Sequence, residues 1–222
     1  MTSAGLTREL IALRVAKELR DGMIVNLGIG LPTLVANFIP PGIDVMMHAE
    51  NGILGYGEII EWPPDFDQDL INAGGQPVTL RPGASFMSSD ASFALARGGH
   101  IDLTVLGGLQ VSSRGDLANW AVTSRGGGGI GGAMDLAAGA RRVIVAMEHT
   151  TRDGEPRILE ECTYPLTAER CVDLIVTNLA VIAVTEAGLE LRELAPGVSV
   201  DDVVSKTEAK LIVPDDVQEM SL

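Results

Sequence analysis

Aromatic residues are scarce: Trp, Tyr and Phe together make up 4% of the 222 residues. The core must therefore be built from Val, Ile, Leu, Ala and Met, as buried parallel sheets usually are. The two cysteines, Cys162 and Cys171, fit neither a zinc-ligand spacing nor a secreted disulfide framework. His48, His100 and His149 lie far apart and not at ligand spacing, which speaks against a metal site. Basic residues number 16 against 30 acidic ones, a net charge of −14. That balance argues against nucleic acid, which needs a basic footprint. It leaves room for a phosphorylated ligand held by a local basic patch or by backbone N–H groups. No apolar run approaches membrane-spanning length. The opening MTSAGLTREL lacks the basic start and apolar stretch of a signal peptide. The expectation is a soluble cytoplasmic protein. A nucleotide-binding P-loop is excluded by the lack of Gly-Lys-Ser/Thr, and a serine hydrolase has no Gly-x-Ser-x-Gly to support it.

Hydrophobic residues make up 46% of the chain and charged ones 21%, enough for a real core. Glycine is plentiful, at 26 residues, which suits tight βα turns and close backbone approach to a ligand. The order of apolar patterns predicts a helix over 7–20, a strand over 23–27, a glycine loop, a helix over 32–38 and a strand over 43–47. Such alternation implies parallel pairing. Further strands are expected at 78–80, 101–106, 142–149, 173–177, 181–185 and 189–194, with helices at 91–96 and 133–140. A hairpin around Gly115 joins 109–111 to 117–120, and Ser199 with Asp202 marks a capped helix start. The fold class expected is α/β: an open, mostly parallel sheet flanked by helices, with an antiparallel extension, forming one domain over 1–222.

The richest stretch is 43–57, IDVMMHAENGILGYG. It delivers a carboxylate, Glu50, at the end of a buried strand, with glycines at 52, 55 and 57 nearby. Ligands of open α/β sheets bind at the carboxyl ends of strands, and a carboxylate there can serve as nucleophile or base. The same residues also read as an ordinary hairpin: Asn-Gly is the commonest such turn, and the preceding polar residue can simply face water. Gly28-Ile29-Gly30 after a strand is half of a dinucleotide fingerprint. Thr33 stands where the third glycine belongs, so NAD or FAD has little support. Asn26, on the preceding strand, points to the same edge. The glycine run 126–132 ahead of a helix can offer N–H groups to an anion or a developing oxyanion, or can be a plain surface loop.

Taken in order, Asn26-Leu27-Gly28-Ile29-Gly30-Leu31-Pro32-Thr33, His48-Ala49-Glu50-Asn51-Gly52, Leu70-Ile71-Asn72-Ala73-Gly74-Gly75, Arg97-Gly98-Gly99-His100-Ile101-Asp102, Ala118-Asn119-Trp120 and Gly131-Gly132-Ala133-Met134-Asp135-Leu136 resemble the β subunit of family I coenzyme A transferases. That group includes 3-oxoacid, acetate (acetoacetyl) and 3-oxoadipate CoA-transferases. The resemblance runs from about residue 10 to about residue 212. It implies an open α/β sheet shared with ribose-phosphate isomerases and repeated in an α subunit. It makes Glu50 the nucleophile, forming an acyl–glutamyl anhydride and then a glutamyl–CoA thioester. Asn26 and the backbone near Gly131 and Gly132 become oxyanion or CoA contacts, joined by Gly28, Gly30 and Asn51. Substrates would be an acyl-CoA and short carboxylic acids, with CoA as substrate and no metal or redox cofactor. The partner would be an α subunit, as a heterodimer, α2β2 or larger.

Three positions depart from the family's pattern. Ala49 replaces a serine, Gly75 a lysine common in relatives, and 121–130 (AVTSRGGGGI) lacks the Pro-Gly-Lys-Met segment, leaving Arg125 as its cation. The alternatives are an acyl-CoA hydrolase or ring-opening hydrolase on the same fold, whose members often lack the glutamate, and a non-catalytic or isomerase-like binding domain.

Overall fold

The computed structural model describes residues 5–62, 66–122, 129 and 131–222. Its strands, in chain order, are β1 (Ile24–Leu27), β2 (Met46–Ala49), β3 (Ile53–Ile59), β4 (Val78–Phe86), β5 (Leu103–Gly107), β6 (Gln110–Ser112), β7 (Leu117–Ala118), β8 (Val143–Met147), β9 (Ile158–Leu159), β10 (Leu174–Thr177), β11 (Ala180–Thr185), β12 (Gly188–Leu194), β13 (Leu211–Ile212) and β14 (Gln218–Glu219). The α-helices are α1 (Arg8–Ala16), α2 (Ser89–Arg97), α3 (Ala133–Gly139) and α4 (Val200–Ser205), and a 3-10 helix spans Pro32–Phe38.

The apolar runs become the centre of one large sheet. Strands β2, β1, β5, β8 and β10 lie side by side in that order, all parallel. Side chains of β8 and β10 are buried on both faces. The α/β expectation therefore holds, but the antiparallel part lies on both flanks. Strands β3 and β4 continue beyond β2, and β11 and β12 continue beyond β10. A second small sheet orders β7, β6 and β9. The expected hairpin joins β6 to β7 in antiparallel register, with Gly115 at φ +81°. Among the described residues, no helix is long and apolar enough to cross a membrane.

Local chemistry explains where elements stop. Helix α1 starts at Thr7, whose hydroxyl accepts the Leu10 N–H at 3.4 Å. It ends four residues before the expected limit, because Lys17, Glu18 and Leu19 bond back to carbonyls three residues earlier. Such tightening is usual at helix ends. The stretch after Pro32 tightens in the same way, giving a 3-10 helix where an α-helix was expected. Ser199 and Asp202 make the expected reciprocal capping box of α4.

The short strands β9, β13 and β14 were not expected, and three longer ones near the ligand edge also differ from expectation. The strand expected at 43–47 is β2, three residues later at its start, because the Asp44 N–H is taken by the Asp21 carboxylate at 2.7 Å. The shift puts Glu50 one residue past the strand. Strand β3 was not expected, and β4 is nine residues long rather than three. Glycine masks β3, and Pro82-Gly83, which reads as a turn, masks β4. A Cβ at Gly55 would stand 3.2 Å from Ala84 Cα, and one at Gly57 would stand 2.5 Å from Thr79 Oγ1. The strands approach so closely that a side chain is excluded, and glycine hides the strand pattern.

The strand order locates the ligand edge. From β1 the chain pairs β2 on one side and later β5 on the other. The carboxyl end of β1 is therefore the topological switch point, where crevices form in open sheets.

Candidate functional site

A cavity of about 460 Å³ opens at that switch point. Three of the five parallel strands contribute from their carboxyl ends: Gly28 after β1, Glu50 after β2, Gly107 and Gly108 from β5. Gly131 and Gly132, immediately ahead of α3, close the opposite wall. Asn119 and Trp120 complete it. Asn119 is itself fixed, donating to the Gly107 carbonyl at 3.0 Å and accepting from Thr167 Oγ1 at 2.6 Å. Trp120 Nε1 donates to the Leu166 carbonyl at 3.1 Å.

Glu50 is held by an amide. Asn26 is fully buried on β1, opposite His48 in the ladder. Its Nδ2 donates to Glu50 Oε2 at 3.0 Å. The same nitrogen lies 3.2 Å from both the His48 carbonyl and His48 Nδ1. Two hydrogens thus face three acceptors. Thr104 Oγ1, on β5, donates to Asn26 Oδ1 at 3.4 Å and sets which end of the amide faces Glu50.

His48 continues the line inward. Its Nε2 is 2.8 Å from Ser92 Oγ on α2. Burial pushes the imidazole down to about 4, so the ring is neutral at pH 7. With Nδ1 accepting from Asn26, the proton sits on Nε2 and is donated to Ser92. A neutral ring leaves the negative charge of Glu50 uncompensated by any imidazolium. Burial, and then the Glu50 charge, raise the Tyr56 phenol above its ordinary value, so Tyr56 remains protonated.

Glycine is needed at two walls. A Cβ at Gly132 would stand 2.6 Å from the Phe93 ring and 3.5 Å from Glu50 Cγ. A Cβ at Gly28 would stand 3.2 Å from the Val105 carbonyl. Thr33, the residue that breaks the dinucleotide pattern, closes this loop instead: its hydroxyl donates to the Gly28 carbonyl at 2.9 Å.

Of the residues singled out by sequence, Glu50, Asn26, Gly28, Gly131 and Gly132 come together here. Gly30 takes φ +95° in the same loop but is not part of the cavity wall. Asn51 turns away: its amide donates to the Ile71 carbonyl at 2.7 Å and ties down the 71–77 turn. Gly52, at φ +121°, makes the tight β2–β3 turn. One segment thus makes the Asn51-Gly52 hairpin turn and also brings Glu50 to the cavity wall. Ala49 is buried in the core. Of the glycine run, residues 126–128 and Ile130, with Arg125, lie outside the described residues.

Sequence reading missed His48, Ser92, Thr104 and Phe93. His48 had a signal, since residues two apart on a strand share a face. Thr104 is a polar residue in an apolar run. Ser92 and Phe93 reach the site only through the packing of α2.

The chain matches the family model "Coenzyme A transferase" over residues 8–206. It is 52% identical over 210 residues to the β subunit of the acetate CoA-transferase of Escherichia coli, covering 95% of each chain. It is 51% identical over 208 residues to the corresponding subunit of the succinyl-CoA:3-ketoacid coenzyme A transferase of Helicobacter pylori, covering 93% of this chain and 99% of that one. Solved structures share the fold. An acyl-CoA transferase of Escherichia coli superposes with a TM-score of 0.78 at 23% identity, covering 97% of this chain and 43% of that one. Glutaconate coenzyme A-transferase of Acidaminococcus fermentans superposes with a TM-score of 0.72 at 18% identity, covering 98% of this chain and 92% of that one. The chain belongs to the coenzyme A transferase family, as a β-subunit chain of a CoA-transferase.

Proposed function

We propose that Glu50 is the nucleophile that carries CoA between a short-chain acyl-CoA, of the acetate or 3-oxoacid class, and a carboxylic acid. One observation carries the reading: the buried Asn26 amide donates to Glu50 Oε2 at 3.0 Å, at the rim of a glycine-walled cavity. A carboxylate is a weak nucleophile, so the site must stabilise oxyanions strongly. In the resting site Asn26 is engaged by the Glu50 charge. Once Glu50 is acylated that charge is gone, and the same N–H groups become free for the next oxyanion.

Bond by bond, a Glu50 oxygen attacks the thioester carbonyl and CoA leaves as thiolate, giving an acyl–glutamyl anhydride. The thiolate attacks the Glu50 carbonyl and the donor's carboxylate leaves, giving a glutamyl–CoA thioester. The acceptor carboxylate then repeats the two steps in reverse order. No net proton moves, and neither a metal nor a redox cofactor is called for.

An α subunit as partner fits two further features. The relatives are named as single subunits of their enzymes. Ile29, beside the cavity, is 71% exposed and Phe86 is 61% exposed, both large apolar groups left facing outward. A hydrolase is not favoured, because relatives near 50% identity over nearly the whole chain carry transferase names.

Initial rates of the co-expressed α/β complex test this reading. The expected plots at several fixed acceptor concentrations are parallel, with the donor's acid released before the acceptor binds. Intersecting lines, or free CoA released at the same rate without an acceptor, would contradict it.

A further inference from the structure

Next to the Glu50 cavity lies a second one of about 540 Å³. The two share Ile29, Gly107 and Gly108 in their walls, so they adjoin along those residues. The second is basic. Arg8, at the start of α1, and Arg152 and Arg157, in the loop after β8, line it together. The Arg8 guanidinium Nη2 reaches over the glycine loop, 3.9 Å from where a Cβ at Gly30 would stand. Glu148 is the carboxylate on the wall. Three cations therefore meet on a chain of net charge −14. Among the described residues, none of the three takes part in an ion pair. Arg8 lies far in sequence from Arg152 and Arg157, so the three formed no cluster in sequence.

We infer that this arginine trough holds the phosphate groups of the CoA nucleotide; the inference rests on the Glu50 transfer reading above. The dimensions agree. Glu50 follows β2 and the arginine loop follows β8, with β1 and β5 between them. Three ladder steps of about 4.8 Å separate those strand ends by roughly 14 Å. In CoA, about thirteen bonds run from the sulfur to the first phosphorus. At the extended-chain rise per bond of a peptide that arm spans roughly 15 Å. A thiol placed at Glu50 thus puts its phosphates at the end of β8. The wall between the two ends is Gly107 and Gly108, which leaves a low floor for the pantetheine arm. A Cβ at Gly108 would stand 2.7 Å from a Val145 methyl carbon and 2.8 Å from Met147 Sδ. Guanidinium groups suit the task because each offers paired donors to phosphate oxygens.

The test compares two thioesters on the α/β complex: acetoacetyl-CoA, and acetoacetyl-pantetheine, which lacks the nucleotide. Direct binding of adenosine 3′-phosphate 5′-diphosphate is followed by calorimetry in parallel. The double variant Arg8→Gln/Arg157→Gln should raise KM for the CoA thioester at least about tenfold, the expected scale for lost charge-assisted bonds. It should weaken nucleotide binding by a similar factor and leave the pantetheine kinetics as in the parent complex. Equal losses on both thioesters, or no loss on either, would overturn the inference. A loss confined to dicarboxylate acceptors would overturn it in favour of an acceptor-carboxylate site. If the parent complex transfers no CoA yet binds the nucleotide in an arginine-dependent way, the Glu50 reading falls and the phosphate site stands.

Discussion

Two parallel strands of this sheet end in nearly the same residues and do different things. Strand β2 runs out through His48 to Glu50, and β8 through Glu148 to His149. Both histidines are buried, and both rings are pushed down to about 4, first by burial. Both have each ring nitrogen within hydrogen-bond reach. The difference lies in the neighbours. His149 stands between two hydroxyls, Thr177 Oγ1 and Thr207 Oγ1, each at 2.9 Å. It locks β10 to the end of α4 and is fully buried. His48 stands between Ser92 and the Asn26 amide, and that amide reaches on to Glu50. A buried histidine and a carboxylate occur at both strand ends. What sets the β2 end apart is the amide on the next strand, aimed at the carboxylate.

Substitutions can break this contrast. The largest effect expected is that of Glu50→Gln, which removes the attacking charge while preserving size. It should lower transfer by about 10⁴-fold or more in the α/β complex, because covalent routes collapse without their nucleophile. Transfer within tenfold of the parent would equate the two strand ends. Next comes Asn26→Ala. Loss of one preorganised oxyanion donor typically costs about 10²–10³ in kcat, so kcat should fall on that scale with a much smaller change in KM. An effect on KM alone would make Asn26 a packing residue.

Smaller and more telling are the two histidines. His149→Ala leaves two threonine hydroxyls short of a partner and should cost about 1–3 kcal/mol in unfolding free energy. The kcat of the folded complex should be unchanged. His48→Ala should cost a similar amount and also lower kcat, since Asn26 loses the ring that orients it. Equal kcat effects would erase the distinction.

The rings also set a pH dependence. Each is harder to protonate folded than unfolded, so the unfolded chain binds more protons between about pH 6.5 and 4. Stability is therefore fully present above pH 6.5 and falls as pH drops towards 4, by at most about 1.4 kcal/mol per unit for each ring. His149→Gln should flatten that slope in thermal melts. An unchanged slope would mean the buried ring is not neutral. Smallest of all, Glu148→Gln removes the carboxylate from the arginine trough and should lower KM for acyl-CoA about twofold to threefold. A raised KM would place Glu148 on the side of binding.

The fold was legible where apolar runs were continuous. β5, β8 and β10 needed no more than that, and the Ser199–Asp202 box and Gly115 announced themselves by chemistry that acts within a few residues. Strand β3 was hidden because Gly55 and Gly57 are demanded by a cross-strand approach that no local pattern records, and β4 because Pro82-Gly83 reads as a turn. At the site, Glu50 and Asn26 were legible as polar residues ending apolar runs. Ser92, Phe93 and the three arginines were not. What brings them to the cavity is the strand order and the docking of α2 and α1, which are set by packing between residues far apart in the chain. Asn51 misled for the opposite reason: its position beside Glu50 is close in sequence, yet the turn points its amide at Ile71.

The most direct measurement is peptide mass spectrometry of the α/β complex after reaction with acyl-CoA in the absence of acceptor, with borohydride used to trap the thioester. The geometry around Asn26 predicts a modification on the peptide containing Glu50, present in the parent complex and missing in Glu50→Gln. Continued turnover with Glu50 unmodified, or an adduct on another side chain, would contradict it.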